Sequence, residues 1–377
     1  MGLLGRYRRY DDPSPAERRR ALERRREERR RARAEGATLD LSGTGVGALP
    51  NPEVVNAAIA VARTGLRAYA DPGASAARRA IAERHGVDAS QVAVGNGAAE
   101  LLRSTATALL EPSRELLTPW PSYSLYPELA QRAGATHVKV ALSNGGVDAE
   151  ALLSAVTDRT RLVVLCNPND PTGGYLTADR LGGLLAELPE TAWVLLDEAL
   201  VHFQSVEPLD ATLAFVGRFP RLIVVRTLSK AYGLPGLRAG YAVGSRSATD
   251  LVAALAPALG VNAVSQAALA YAVERVDYDV ERRRQAVIRE RRRLLDGLWA
   301  LPVEAAASEA SFVWLRARGI EGSELARRLE RSRIMVAPGE PLGDRDHVRI
   351  GVRDPAATTR VLAALKAAAS GPDGSTA

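Results

Sequence analysis

A chain of 377 residues with 46% hydrophobic and 25% charged content can bury a large core and is long enough for two domains. No apolar run approaches the length a membrane-spanning helix needs, and the N-terminus MGLLGRYRRYDD has no apolar signal core, so neither a transmembrane helix nor a secretory signal is expected. The formal charge of +6 is localised: residues 1–35 hold 13 arginines against 7 acids, and the remainder balances at 37 basic and 37 acidic residues, so no basic nucleic-acid groove is expected across the fold.

The first element is that arginine-rich arm, residues 1–38. Ser14-Pro15-Ala16-Glu17 forms a capping box with proline at the first helical position, and Gly36 supplies a stop, which predicts a helix between them. Glu23, Glu27 and Glu28 precede arginines at helical spacing, and Ala21, Leu22, Ala32 and Ala34 are too few to make a core. The arm therefore reads as a solvated helix. The contacts it suits are a dimer partner, or weak binding of nucleic acid or another polyanion.

From Leu39 the pattern becomes α/β. Strand-like runs are predicted at Val92–Val94, Leu116–Thr118, His137–Val140, Leu162–Cys166, Trp193–Asp197, Leu222–Thr227 and Tyr241–Val243. Helical stretches such as Ala98–Leu110 and Ala178–Leu188 separate most of them, which predicts a mostly parallel sheet covered on both faces over residues 39–255. Residues 256–377 predict a smaller α+β domain. It has a long arginine-rich helical segment from about Val264 to Trp299, strands at Ser311–Leu315, Ile334–Val336 and Val348–Val352, and helices at Gly322–Arg331 and Ala356–Ala369. The tail SGPDGSTA is expected to be disordered.

In such a sheet functional groups gather beyond the carboxyl ends of the strands, and several candidates fall there. Val94-Gly95-Asn96-Gly97-Ala98-Ala99 is a strand end, a glycine turn and a helix start, where free amides and the helix dipole suit an anion. Pro121-Ser122-Tyr123 places an aromatic ring just past a strand. Cys166-Asn167-Pro168-Asn169-Asp170-Pro171-Thr172-Gly173 follows another, and its Cys166, the sole cysteine, allows no intramolecular disulfide and fits the reducing cytoplasm. Asp197 closes an apolar strand with a carboxylate that needs a cationic partner or several donors. Leu222 to Thr227 is a buried strand ending in Leu228-Ser229-Lys230, with Arg238 eight residues beyond the lysine. A lysine there is poorly solvated, so its pKa falls and the free amine is available to form a Schiff base. Thr227 and Arg238 carry the hydroxyl and guanidinium that clamp a phosphate. Tyr69-Ala70-Asp71-Pro72 is a turn, and Val348-Arg349-Ile350 puts an arginine on a strand of the smaller domain.

In order and spacing, from Tyr69 to Arg349, these segments resemble the fold-type-I pyridoxal-phosphate-dependent aminotransferases of class I/II, in their histidinol-phosphate aminotransferase branch. The resemblance implies Lys230 as the Schiff-base lysine and general base. Ala98, Ala99, Thr227 and Arg238 would then hold cofactor phosphate, Tyr123 would stack on the pyridine, and Asp197 would pair with its ring nitrogen. Asp170 would stand by the cofactor 3′ oxygen and Arg349 would bind the substrate carboxylate. Tyr69 would reach the phosphate of a neighbouring subunit, which implies a homodimer with shared sites. The function implied is transfer of an amino group from an amino acid, or a histidinol-phosphate-like amine, to a 2-oxo acid. A lyase or decarboxylase on the same fold, or a binding protein using the arm, are the alternatives.

Three positions depart from the family pattern. Asp170 stands where asparagine is usual, Leu200 where a tyrosine also donates to the 3′ oxygen, and Val336-Ala337-Pro338 lacks an arginine that helps bind substrate phosphate. An ionised Asp170 cannot donate, so either it is protonated or the 3′ oxygen keeps its proton, which predicts a raised Schiff-base pKa. The Ala337 change opens the substrate to amino acids other than histidinol phosphate.

Overall fold

The structure, a computed structural model, describes residues 19, 20, 23, 37–257 and 259–369. The expected arm helix and the expected disordered tail lie outside the described residues, apart from those three isolated positions.

The strands in chain order are β1 (Leu39–Asp40), β2 (Val92–Gly95), β3 (Glu115–Trp120), β4 (Thr136–Ala141), β5 (Thr160–Cys166), β6 (Trp193–Asp197), β7 (Leu222–Thr227), β8 (Gly240–Gly244), β9 (Val303–Ala305), β10 (Phe312–Ala317), β11 (Ile334–Met335), β12 (Ala337–Pro338) and β13 (His347–Gly351). Seven of them form one sheet in the order β2-β8-β7-β6-β5-β3-β4. β8 runs against both its neighbours and every other pairing is parallel. The mostly parallel sheet expected from the sequence is present. Its central strands are apolar on both sides because both faces are covered. Leu222 and Val224 enter one core with Val194 and Leu196, while Ile223 and Val225 enter the other with Leu195. That alternation is the two-residue period of an extended chain, read here against two helical layers.

A second, antiparallel sheet has the order β12-β13-β10-β9, with the helices Asp277–Leu298, Gly322–Arg331 and Pro355–Ala369 packed against it or one another. β1 does not join the large sheet. It pairs in parallel with β11, Leu39 opposite Ile334. The helical segment expected over Val264–Trp299 consists of two helices, Ala263–Arg275 and Asp277–Leu298. The chain leaves helical geometry at Val276 (φ −115°, ψ 23°). Asp277 and Asp279 then open the second helix, where its dipole favours acids, and Asp277 accepts from Arg84 at 2.6 Å. Among the described residues no helix is long and apolar enough to cross a membrane.

Candidate active site

β2, β3, β5, β6 and β7 end on one edge of the sheet, and the groups singled out from the sequence leave from those ends. At the β2 end, Gly97 turns the chain into the helix Ala98–Leu109 with φ +86°. A Cβ on Gly97 would stand 2.7 Å from Arg238 Nη2, and one on Gly240 would stand 2.8 Å from the Ala98 nitrogen. Only glycines let the helix end, Arg238 and β8 approach this closely. The Ala98 and Ala99 amides lie in the first helical turn, where N–H groups have no intrahelical acceptor. Glu100 accepts the Asn96 amide at 2.6 Å and so caps the turn from below. Thr227 closes β7 opposite Gly240, its hydroxyl oxygen accepting the Ser229 amide at 3.2 Å. Helix amides, Thr227, Ser229 and the Arg238 guanidinium thus make an anion cup. Ser229 is an addition to the residues chosen from sequence.

Asp197 ends β6, 3% exposed. Its carboxylate accepts from the Tyr126 hydroxyl at 3.0 Å and from the Ala199 amide at 3.0 Å. Burial pushes its pKa up to about 6 despite these donors. Tyr123, half-buried, stands edge-on to Tyr126 with ring centres 5.7 Å apart. Lys230 donates to the Thr44 hydroxyl. Burial draws its pKa down, the charge of Asp170 opposes this, Arg349 adds to it, and the net shift is downward. That is the direction a reactive amine requires.

Arg349 on β13 crosses from the smaller sheet and donates through Nη1 to Asp170 and through Nη2 to the Ser42 carbonyl at 2.9 Å. Asp170 therefore has a cationic partner. Neighbouring Asn169 is held by Ser122 at 2.7 Å and by Thr172 at 2.9 Å, and Asn167 exchanges two bonds with the Leu176 backbone. These explain why the loop after β5 is rich in asparagine. Leu200 is buried in the core, and Ala337 lies opposite Arg349 in the β12–β13 register. Tyr69 is apart from all of this within one chain, with 93% of its surface exposed.

Three contact residues were missed from sequence: Thr44, Ser42 and Tyr126. Tyr126 alone carried a signal. It follows Tyr123 by three residues at a helix start, the spacing that puts two rings on one side. Thr44 and Ser42 sit in Ser42-Gly43-Thr44-Gly45, which by itself reads as a turn.

The profile of aminotransferase class I and II matches residues 35–365, and the chain belongs to that family. An aromatic amino acid aminotransferase of Rhodococcus jostii is 38% identical over 85% of this chain and 87% of its own length. A histidinol-phosphate aminotransferase 2 of Pseudomonas fluorescens is 35% identical over 80% of each chain. The solved histidinol-phosphate aminotransferase of Sinorhizobium meliloti, in complex with pyridoxal 5′-phosphate, superposes with TM-score 0.79 at 26% identity, covering 90% of this chain and 93% of that one. The protein is a pyridoxal-phosphate-dependent aminotransferase of fold type I, moving an amino group between an amino acid and an oxo acid.

The residues present fit that cofactor. The cup has the donors of a phosphate site, and Asp197 is a buried acid whose pKa burial raises further than Ala199, Tyr126 and the charge of Lys230 lower it. Its pKa when folded lies above the ordinary carboxylate value. The folded protein therefore binds this proton more tightly than the unfolded chain, and stability from this group falls as pH rises from about 4 through 6. By pH 8 the penalty is fully developed, roughly 3 kcal/mol for a shift of this size. A pyridinium beside Asp197 removes it. Added pyridoxal phosphate is thus expected to raise the melting temperature more at pH 8 than at pH 5, and Asp197→Asn should abolish most of that difference. Equal pH dependence in the two proteins would show that Asp197 does not meet the ring nitrogen.

Proposed function

We propose that the chain transfers the amino group of an aromatic L-amino acid to a 2-oxo acid, with Lys230 as the amine that takes the cofactor aldehyde and then moves the α-proton. The observation that carries this reading is the meeting of Lys230, Asp197 and Arg349 at one edge, from β7, β6 and the smaller sheet. Bound pyridoxal phosphate supplies an aldehyde that condenses with amines and a ring that draws electrons from the α-carbon. Ala98, Ala99, Thr227 and Arg238 would hold its phosphate, and Tyr123 would contact its ring. Asp197 keeps the ring nitrogen protonated, oriented in turn by Tyr126, a positioning residue. Asp170 stands by the 3′ oxygen. Burial draws the Lys230 pKa down, the direction a general base requires. Arg349 receives the substrate carboxylate, a planar match that a lysine does not offer.

An aromatic donor is favoured by two observations: the names of the more similar relatives, and Ala337 beside Arg349 where a phosphate-binding arginine would serve histidinol phosphate. Residues 39–255 form the larger cofactor domain and 256–377 the smaller one, the β1 segment crossing to β11. Two chains associate with shared sites, Tyr69 of each reaching the other's phosphate; its exposure in one chain is what such a role requires. The single cysteine suits the cytoplasm. The test is the absorbance of the protein with added pyridoxal phosphate, before and after L-phenylalanine, L-tyrosine, L-aspartate and histidinol phosphate. Bleaching of the long-wavelength band by the aromatic donors, reversed by a 2-oxo acid, is expected. Bleaching by histidinol phosphate alone would overturn the substrate choice, and release of carbon dioxide would overturn amino transfer.

A further inference from the structure

We propose that Asp170 is a specificity-determining residue: it occupies Arg349 in the ligand-free enzyme as an internal carboxylate, and every ligand carboxylate has to compete with it. The inference rests on the reading above that Arg349 receives the substrate carboxylate.

The argument begins with the guanidinium. Both terminal nitrogens of Arg349 are already engaged, Nη1 by the Asp170 carboxylate and Nη2 by the Ser42 carbonyl at 2.9 Å. Only Nε is buried without a hydrogen-bond partner among the described residues. A guanidinium carries five N–H donors, and Asp170 and the Ser42 carbonyl take one from each terminal nitrogen, so a ligand carboxylate meets a cation already paired with an anion. Incoming carboxylate must therefore displace Asp170 or lie beside it. The pair is enclosed, with 11% of the Arg349 side chain and 13% of the Asp170 side chain exposed, so solvent screens neither outcome well. Displacement strands one buried carboxylate, and coexistence puts two on a single cation; both weaken the complex. Asparagine at this position would still reach the guanidinium through its amide oxygen, but as a neutral acceptor. It would also leave the ligand carboxylate as the sole anion on Arg349. An amine with no α-carboxylate does not meet this opposition at all. Asp170 thus narrows the advantage that α-carboxylate ligands hold over amino alcohols of the same shape.

The test uses the holoenzyme, with binding read from the cofactor absorbance and not from turnover. L-Phenylalanine and L-phenylalaninol differ only in carboxylate against hydroxymethyl. Asp170→Asn is expected to tighten L-phenylalanine by about ten-fold or more, the scale of one close charge pair, and to move L-phenylalaninol by less than about three-fold. In an Arg349→Ala background the same substitution should leave L-phenylalanine within about three-fold. Unchanged or weakened L-phenylalanine binding in Asp170→Asn, with a melting temperature near that of the parent, overturns the inference while the cofactor reading stands. Equal tightening of both ligands also overturns it, since the effect would not be on the carboxylate. A protein that takes up no pyridoxal phosphate overturns the site reading and the inference together. If another donor of the panel bleaches the band and L-phenylalanine does not, only the aromatic choice fails. The comparison is then made with that donor and its amino alcohol, and the same two outcomes decide it.

Discussion

Lys230→Ala is expected to lower kcat for amino transfer about 10,000-fold while leaving the fold intact. The size follows from the two roles the one amine would fill. Proton transfer by a positioned base contributes up to about 10,000-fold, and loss of the nucleophile removes the covalent attachment as well. The fold should tolerate the change because, among the described residues, the Lys230 amine bonds only to the Thr44 hydroxyl, and burial works against its charge. Deleting a poorly solvated ammonium relieves a cost, so the melting temperature should stay within a few degrees of the parent or rise. Small exogenous amines should restore part of the rate, since the cavity left has the size of the missing chain. The measurement is single-turnover bleaching of the cofactor band, with and without methylamine, alongside calorimetry. Residual kcat above a few per cent, or a collapse in melting temperature, would falsify the assignment of Lys230 as the base.

The second large effect concerns stability. Arg226→Met is expected to destabilise the protein by about 3–5 kcal/mol, the range for removing one partner of a buried ion pair. Arg226 is 1% exposed inside β7. It donates through Nε to Glu198 at 2.7 Å and through Nη2 to the Leu209 carbonyl at 3.0 Å, and Nη1 contacts Asp210. Burial works against its charge, but Glu198, itself fully buried, and Asp210 outweigh it, and the Arg226 pKa is raised. Without the guanidinium, the Thr212 hydroxyl is the one side-chain hydrogen-bond partner left to Glu198 among the described residues, and the carboxylate becomes an uncompensated buried anion. The consequence reaches the active site, because Glu198 follows Asp197 and Arg226 precedes Thr227. The pair clamps the ends of β6 and β7 that carry Asp197 and Thr227. The melting temperature should fall by roughly 5 °C or more, and cofactor affinity should fall with it. Arg226→Met combined with Glu198→Gln should recover much of the loss, since no charge is then stranded. If the double variant is as unstable as the sum of the singles, the clamp is a matter of packing and not of charge.

The network beneath the site was invisible in the sequence for a particular reason. Glu198 and Arg226 are ordinary-looking charges next to more conspicuous residues, and their partners Asp210 and Thr212 lie in a loop without pattern. Parallel pairing of β6 and β7, with Asp197 opposite Val225, brings the acid and the arginine together. No local signal announces that register.

What the sequence by itself determined is what short-range chemistry can write. Apolar runs of four or five residues spaced by helices made the parallel sheet recognisable, because strands covered on both faces are mostly apolar. Lys230, Asp197 and the loop at Asn167–Gly173 were legible because each lies in a distinctive stretch at a strand end. The break at Val276 was not, since valine is no helix breaker. Only the tertiary structure decided which groups touch. Tyr126 and Asp197 are 71 residues apart, Asp170 and Arg349 are 179 apart, and Lys230 and Thr44 are 186 apart. Contacts over such separations depend on strand order and on how the smaller sheet packs over the larger one. Periodicity and propensity act within a few residues and carry no information about them.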